Sequence, residues 1–362
     1  MRYDIAIVGA GIAGASLAAA IGDLSGGGAS VLLLEGEDAP GYHATGRSAA
    51  FWSESYGGPG IQPLTTASGP ALRDGGFLAP LGSLHIGRAQ DAGRIDAFLA
   101  EFAESGVALT PLDPRPLVPG LRADWSLGVM EASSAYIDVA ALHADCLARA
   151  RRHGATLVTG ASLNAATRGW TLKTGAGTFA ADIVVNAAGA WADAVAERAG
   201  IGPIGIQPYR RTVVQLRTDP PSPADLPHVA DISGNFYFKP EGAGRLWLSP
   251  HDETPVDPHD VQPEELDVAI AIDRFEQAVD WRVAAVERRW AGLRSFAPDR
   301  LPVYGFEPGR GDFFWCAGQG GFGIQTAPAA AALAAGLLLG VAPEAFVADI
   351  DAGVYAPGRF RF

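Results

Sequence analysis

The segment Tyr3-Asp4-Ile5-Ala6-Ile7-Val8 is apolar apart from Asp4. A continuous apolar run of this length predicts a strand covered on both faces, as in a parallel sheet. An Ala-rich stretch from Ala13 to Ile21 predicts a helix, Gly26-Gly27-Gly28 a turn, and Val31-Leu32-Leu33-Leu34 a second strand ending at Glu35. Together these make a βαβ unit with a short connection. The pattern returns later as a helix over Val139–Arg152 and strands over Thr156–Thr159 and Ile183–Asn186. Between and after these lie Thr212–Leu216 and the run from Phe236-Tyr237-Phe238 through Leu246-Trp247-Leu248, which alternate and are rich in β-formers. Alternation of this kind predicts antiparallel strands, with Pro/Gly-rich connections around Pro220–Pro227 and Pro240–Gly244. A last strand, Phe313–Ala317, leads through a glycine-rich turn into the apolar run Ala327–Val341. That run is short for a membrane span of about 20 residues, and Pro328 opens it, so it reads as a buried helix. The predicted fold class is α/β with α+β inserts. A discontinuous Rossmann-like domain (1–74, 136–206 and 286–362) brackets a second domain with a mixed or antiparallel sheet (75–135 and 207–285).

Charge and cysteine content narrow the partners. The 362 residues carry a formal net charge of −13, which disfavours nucleic acid and anionic membranes because both require a basic footprint. Two cysteines, Cys146 and Cys316, are too few for a disulfide framework. With no secretory signal pattern at the start, they predict a cytoplasmic protein without a transmembrane segment. Seven scattered histidines and two cysteines give no metal-ligand spacing, so no metal site is expected.

Gly9-Ala10-Gly11-Ile12-Ala13-Gly14 falls between the first strand and the first helix. In this setting Gly9 makes the tight turn, Gly11 lets backbone approach a pyrophosphate, and Gly14 lets helix and strand pack closely. The helix N-terminus offers free N–H groups and the positive end of its dipole. Glu35 is placed to accept hydrogen bonds from ribose hydroxyls. Strand, helix and acid are all present, which makes this a dinucleotide loop. It does not by itself choose between FAD and NAD.

The choice comes from Gly41-Tyr42-His43-Ala44-Thr45-Gly46-Arg47-Ser48-Ala49-Ala50, a run with no place in a plain NAD domain. It resembles the D-amino acid oxidase (DAO) family of flavoproteins, and most closely its bacterial D-arginine dehydrogenases. Val185-Asn186-Ala187-Ala188-Gly189-Ala190-Trp191 is similar to the family's second flavin-domain signature. Trp290–Phe296 with Pro298-Asp299 is similar to its substrate-arginine segment, and Gly318–Thr326 to its flavin-pyrimidine turn. The resemblance spans essentially the whole chain. It implies a DAO/glycine oxidase-type fold and FAD held noncovalently, since no match to the family's covalent flavin cysteine is found. The flavin contacts it implies are Gly9, Gly11, Ile12, Ala13, Gly14, Glu35, Gly46, Arg47, Ser48, Ala49, Val158, Ala188, Gly189, Trp191, Gly320, Gly321, Gly323, Ile324 and Gln325.

The resemblance further implies hydride transfer from a substrate carbon to flavin N5, giving an imine that water hydrolyses to a keto acid and ammonia. A substrate carboxylate calls for a planar bidentate cation, and Arg294 matches the family's carboxylate arginine. Arg211 and Tyr237 match its other pocket positions, Tyr56 a tyrosine over the entrance, and Gly321 and Gln325 residues near the substrate amine and the flavin. Oxygen and a quinone stay open as electron acceptor. Against the D-arginine dehydrogenases, Ser83 stands where a pocket glutamate is placed, and Phe51 and Trp52 where the entrance loop has a histidine and a tyrosine. These three are the expected specificity residues, and they point to an uncharged side chain. Glu54 would share the face of Tyr56 if that segment were extended, although an exposed glutamate is the default. His43 is expected on the cofactor side, His85 and His143 as structural or solvent-facing, and Cys316 in the core. A sarcosine-like amine or 2-hydroxy acid oxidoreductase is the alternative within the family. A non-catalytic nucleotide-binding protein is the alternative outside it.

Overall fold

In the computed structural model, which describes residues 2–242 and 244–360, the strand Arg2–Val8 lies between two parallel neighbours. Ile5 pairs with Val31 on one side and Ile183 on the other. Ile5–Val8 and Val31–Leu34 are buried throughout, which is why their sequence is continuously apolar rather than alternating. The sheet continues to Thr156–Val158 beyond Val31–Leu34. On its other side Gly177–Asn186 pairs with the antiparallel Thr171–Thr174 and with the parallel Phe313–Ala317. The helices Ile12–Ser25, Val139–Arg152 and Ala327–Leu339 cover one face. Leu17, Ile21, Leu33, Val185, Phe314 and Leu333 belong to one apolar cluster beneath them. Among the described residues no helix is long and apolar enough to cross a membrane.

A second, ten-stranded sheet runs in the order 319–320, 282–296, 207–219, 245–249, 237–240, 228–231, 83–87, 127–131 and 109–112, with 254–255 also pairing with 207–219. Its one parallel junction joins His228–Asp231 to Ser83–Gly87. One face packs Val214, Leu216, Phe238 and Leu248 against the helix Glu265–Ala278. The opposite face looks toward the first sheet. A three-stranded sheet, Phe51–Trp52, Ala135–Ile137 and Leu78–Pro80, joins the two halves.

The antiparallel reading of residues 212–248 agrees with this pairing. The boundary at 286 does not, since Arg282–Phe296 is one strand paired with Gln207–Asp219 along nearly its whole length. The alternation of that strand continues past 286, so residues 286–296 go with the second sheet. The helix Gln62–Asp74 was not read from the sequence, because Thr65, Thr66, Ser68, Gly69 and Pro70 conceal its apolar side.

Candidate active site

Beside the Gly9–Gly14 turn a cleft of about 350 Å³, open at its mouth, runs from Glu35 to Arg294. Gly9 has φ +106°, and a Cβ there would strike the Ala187 carbonyl. One on Gly14 would strike Gly9 itself. Turn, helix and the Val185–Trp191 segment therefore touch backbone to backbone. The Glu35 carboxylate accepts the Ala10 N–H at 2.9 Å and the Glu37 N–H at 3.1 Å. The Ile12 N–H donates to Thr45 Oγ1 at 2.9 Å, and a Cβ on Gly11 would lie 3.1 Å from that oxygen. The N-cap residue, Gly11, has no side chain and no acid occupies the first turn, so apart from the Ile12 N–H held by Thr45 the positive end of the helix is left to an external anion. His143, buried and not solvent-facing, donates from Nε2 to the Ala10 carbonyl at 2.8 Å and steadies the turn from behind. A glycine cradle, a helix end free of acidic side chains and a carboxylate at the ribose position fit a dinucleotide.

Of the expected flavin contacts, Gly9, Gly11, Ile12, Ala13, Glu35, Arg47, Ser48, Ala49, Ala188, Gly189, Trp191, Gly320, Gly321, Gly323 and Ile324 line the cleft. Gly14, Gly46 and Val158 do not, and each acts through backbone instead. Gly14 packs on Gly9, the Gly46 N–H turns back to the Gly41 carbonyl at 2.8 Å, and the Val158 carbonyl accepts the Glu35 N–H at 2.8 Å. The Arg47 guanidinium leaves the cleft for the Asp260 carboxylate and the Val261 carbonyl, tying its own loop to the segment before the helix Glu265–Ala278. His43 lies on the cofactor side as expected, 2.7 Å from Glu37 and against the Trp191 ring.

The far end of the cleft opens into a small recess of about 30 Å³, bounded by Ala50, Phe51, Tyr56, Tyr237, Arg294, Gly321 and Gln325 among others. Strand pairing sets Arg211 opposite Gly292 and Tyr209 opposite Arg294. The two arginines thus share one sheet face although 83 positions separate them. Arg211 donates from Nε to the Asp252 carbonyl at 2.7 Å and from Nη2 to Glu253 at 3.1 Å, while its buried Nη1 has no partner. Burial, then repulsion from Arg294, pulls the Arg211 pKa down to about 10, so it is still charged at neutral pH. Among the described residues no carboxylate lies within ion-pairing distance of Arg294. Its guanidinium sits 5.8 Å from the Tyr56 ring centre. A Cβ on Gly321 would come 2.9 Å from the Tyr56 hydroxyl and 3.0 Å from the Arg294 Cζ, so any side chain there would push these two groups aside.

The loop carrying Tyr56 is held from two sides. Gln325 accepts the Ser53 N–H at 3.3 Å and donates to the Tyr56 carbonyl and Thr65 Oγ1, both at 3.0 Å. Its amide is therefore committed to the loop although the residue borders the recess. From the second sheet the fully buried Glu131 carboxylate accepts from Ser53 Oγ, the Glu54 N–H, the Ser55 N–H and Ser55 Oγ. Sequence reasoning missed Glu131, Thr45 and His228. Two serines flanking Glu54 were the only local sign of a buried acceptor.

Three specificity expectations change. Phe51 borders the recess, but Trp52 points the opposite way, as successive strand residues must. Its indole is buried and donates to the Thr65 carbonyl at 3.0 Å. Ser83 is buried outside the recess, 3.1 Å from His228 Nδ1. Glu54 lies in a turn rather than an extended segment, and its carboxylate is taken by Thr66 and Ser133. It lines neither the cleft nor the recess. His85 is structural, packed on Phe98, and Cys316 lies in the core.

The signature of the family described as "DAO: FAD dependent oxidoreductase" matches residues 4–337. The chain belongs to this family. Its fold is the DAO type, it is an oxidoreductase, and FAD is its cofactor. Among curated proteins this DAO-family chain is 32% identical over 203 residues to FAD-dependent oxidoreductase domain-containing protein 1 of Bos taurus, covering 50% of the chain and 39% of the relative. It is 31% identical over 176 residues to glycine oxidase of Geobacillus kaustophilus (strain HTA426), covering 47% and 44%. The matches thus span less than half the length of either relative. Solved structures extend the likeness to the whole chain. L-proline dehydrogenase from P. horikoshii superposes with a TM-score of 0.85 at 21% identity, covering 99% of this chain and 98% of that one. Glycine oxidase from Geobacillus kaustophilus does so with 0.84 at 23%, covering 99% of each. At these identities the likeness speaks for the fold.

Proposed function

We propose that this DAO-family oxidoreductase oxidises a small amino acid, D-configured and with an uncharged side chain, to the imine, which water then hydrolyses to keto acid and ammonia. The observation that carries the reading is the pair of guanidiniums lining the cleft where it meets the recess, Arg294 without an acidic partner and Arg211 with a free Nη1. Two planar cations converging on one space call for a carboxylate, which can take parallel N–H bonds and offset their mutual repulsion. Tyr56 and Tyr237 flank that carboxylate with hydroxyl donors, and the backbone of Gly321 leaves room for the amine beside Arg294. Noncovalently bound FAD supplies the acceptor for the substrate hydride. The Gly321–Gly323 turn and the start of Ala327–Leu339 favour negative charge at that end of the cleft. The two cysteines, both free and buried, support the proposed cytoplasmic location.

The test is anaerobic bleaching of the purified yellow protein by D- and L-amino acids, N-methyl amino acids and 2-hydroxy acids. Reduction by primary amino acids supports the reading. Reduction by 2-hydroxy acids alone overturns it in favour of alcohol oxidation, and N-methyl substrates alone point to a secondary-amine enzyme. The reoxidation rate with oxygen, compared with that of a soluble quinone, identifies the electron acceptor.

A further inference from the structure

The recess is lined by the polar side chains of Arg294, Tyr56 and Tyr237 and by the apolar ones of Ala50, Phe51 and Ile324. What lies behind Phe51 decides how long a substrate can be. Its ring stacks on His228, with centres 4.1 Å apart and planes at 29°, and leans on Tyr56 at 5.1 Å. His228 is itself wedged, with the Tyr237 ring 5.3 Å away and Nδ1 bonded to Ser83 Oγ at 3.1 Å. Both His228 and Ser83 are buried, and neither borders the recess. The strands fix the rest. His228 pairs with Ser83, Ser83 with Glu131, and Phe51 with Tyr136. On either side of the Phe51 backbone, Trp52 is anchored to Thr65 and Ser53 to Glu131 and Gln325.

We infer that Phe51, backed by His228 and Ser83, is a fixed wall that ends the side-chain end of the recess. On this reading the enzyme selects amines whose α-carbon bears hydrogen or a methyl group and excludes long side chains of either charge. The inference rests on the carboxylate-clamp reading above and deepens it. A side chain longer than a methyl group meets the Phe51 ring. The ring cannot retreat without driving His228 into Ser83 or breaking its stack, and overfilled packed sites resist such shifts. The imidazole Nε2 of His228 is buried without a partner, and burial keeps the ring neutral by pulling its pKa far down. The wall is therefore an uncharged aromatic stack, not an ion pair that a charged substrate could displace. His228 acts here as a positioning residue and touches no substrate.

The experiment compares kcat/KM, from anaerobic flavin reduction, for glycine, sarcosine and both enantiomers of alanine, leucine and phenylalanine, using the wild-type holoenzyme and Phe51→Ala. The expected result is a wild-type fall of at least about 100-fold from the best small substrate to leucine or phenylalanine, a range one shaped pocket can supply. In Phe51→Ala the leucine-to-glycine ratio should rise at least tenfold. A measurement on the wild type alone guards against a variant that fails to fold. Acetate, propionate, 4-methylpentanoate and phenylacetate are titrated as inert ligands by their perturbation of the flavin spectrum. Acetate and propionate should bind and the two longer acids should not. Leucine or phenylalanine as the best wild-type substrate, equal binding of all four acids, or an unchanged ratio in a flavin-loaded Phe51→Ala would each overturn the wall. If no amine reduces the wild-type flavin, the amine-oxidation reading fails and the acid titration alone decides the wall. If small acids bind while large ones do not, the wall stands whatever the reaction proves to be.

Discussion

Replacing Glu131 by Gln keeps the shape of a fully buried side chain and removes its charge. In the native protein one carboxylate oxygen accepts the Glu54 N–H at 2.7 Å, and the other accepts the Ser55 N–H at 3.3 Å and two serine hydroxyls. The hydroxyls can rotate to accept instead, but the two backbone N–H groups can only donate. Whichever way the Gln amide is turned, its NH₂ group faces one of them. Leaving a buried donor unpaired costs about 1–3 kcal/mol, and the loop relieves that cost by moving away, taking Tyr56 with it. At about 1.4 kcal/mol per factor of ten, the expected rise in KM is about 5- to 140-fold. The flavin cleft is walled by other segments, so FAD content and the visible spectrum should not change. The limiting rate of flavin reduction, read by stopped-flow at saturating substrate, should fall by less than about threefold because Arg294 is untouched. An unchanged KM together with a lowered Tm would refute the reasoning and leave Glu131 a support of the fold only.

Arg294→Met should weaken substrate capture by several kcal/mol, the scale for leaving a charge unpaired at a binding site, with the flavin spectrum intact; wild-type reduction rates at low substrate would contradict the clamp. Gly11→Leu should give a folded but colourless protein by circular dichroism and absorbance, because a side chain 3.1 Å from Thr45 Oγ1 occupies the pyrophosphate approach. Acid precipitation of the wild type should release all its flavin to the supernatant, and yellow retained in the pellet would show a covalent link. Burial pushes the thiol of Cys146 up to about 11 and that of Cys316 up to about 12. Neither should therefore react with a disulfide reagent at pH 8 until the protein is unfolded, when two thiols should appear.

The periodic and turn-forming parts of this protein were legible in its sequence. Apolar runs at Ile5–Val8 and Val31–Leu34, the glycines between them and the acid at position 35 specify a βαβ nucleotide unit, because each feature acts within a few residues of its neighbours. The alternation of residues 212–248 likewise specified antiparallel strands, and family motifs located most of the cleft. Only the tertiary structure decided how distant segments meet. The pairing of Gln207–Asp219 with Arg282–Phe296 sets Arg211 beside Arg294. The adjoining strands bring Glu131, Ser83 and His228 into one row behind the Tyr56 loop. Aligning Ser83 with a pocket position identified its strand but not what would stand in front of it. His228 bonds it, Phe51 stacks on His228 at the recess, and alternation sends Trp52 to the other side. Local pattern fixes which face of a strand a residue occupies relative to its neighbours. Which strands lie together, and which side chain ends between a residue and the substrate, depends on packing between segments that are far apart along the chain.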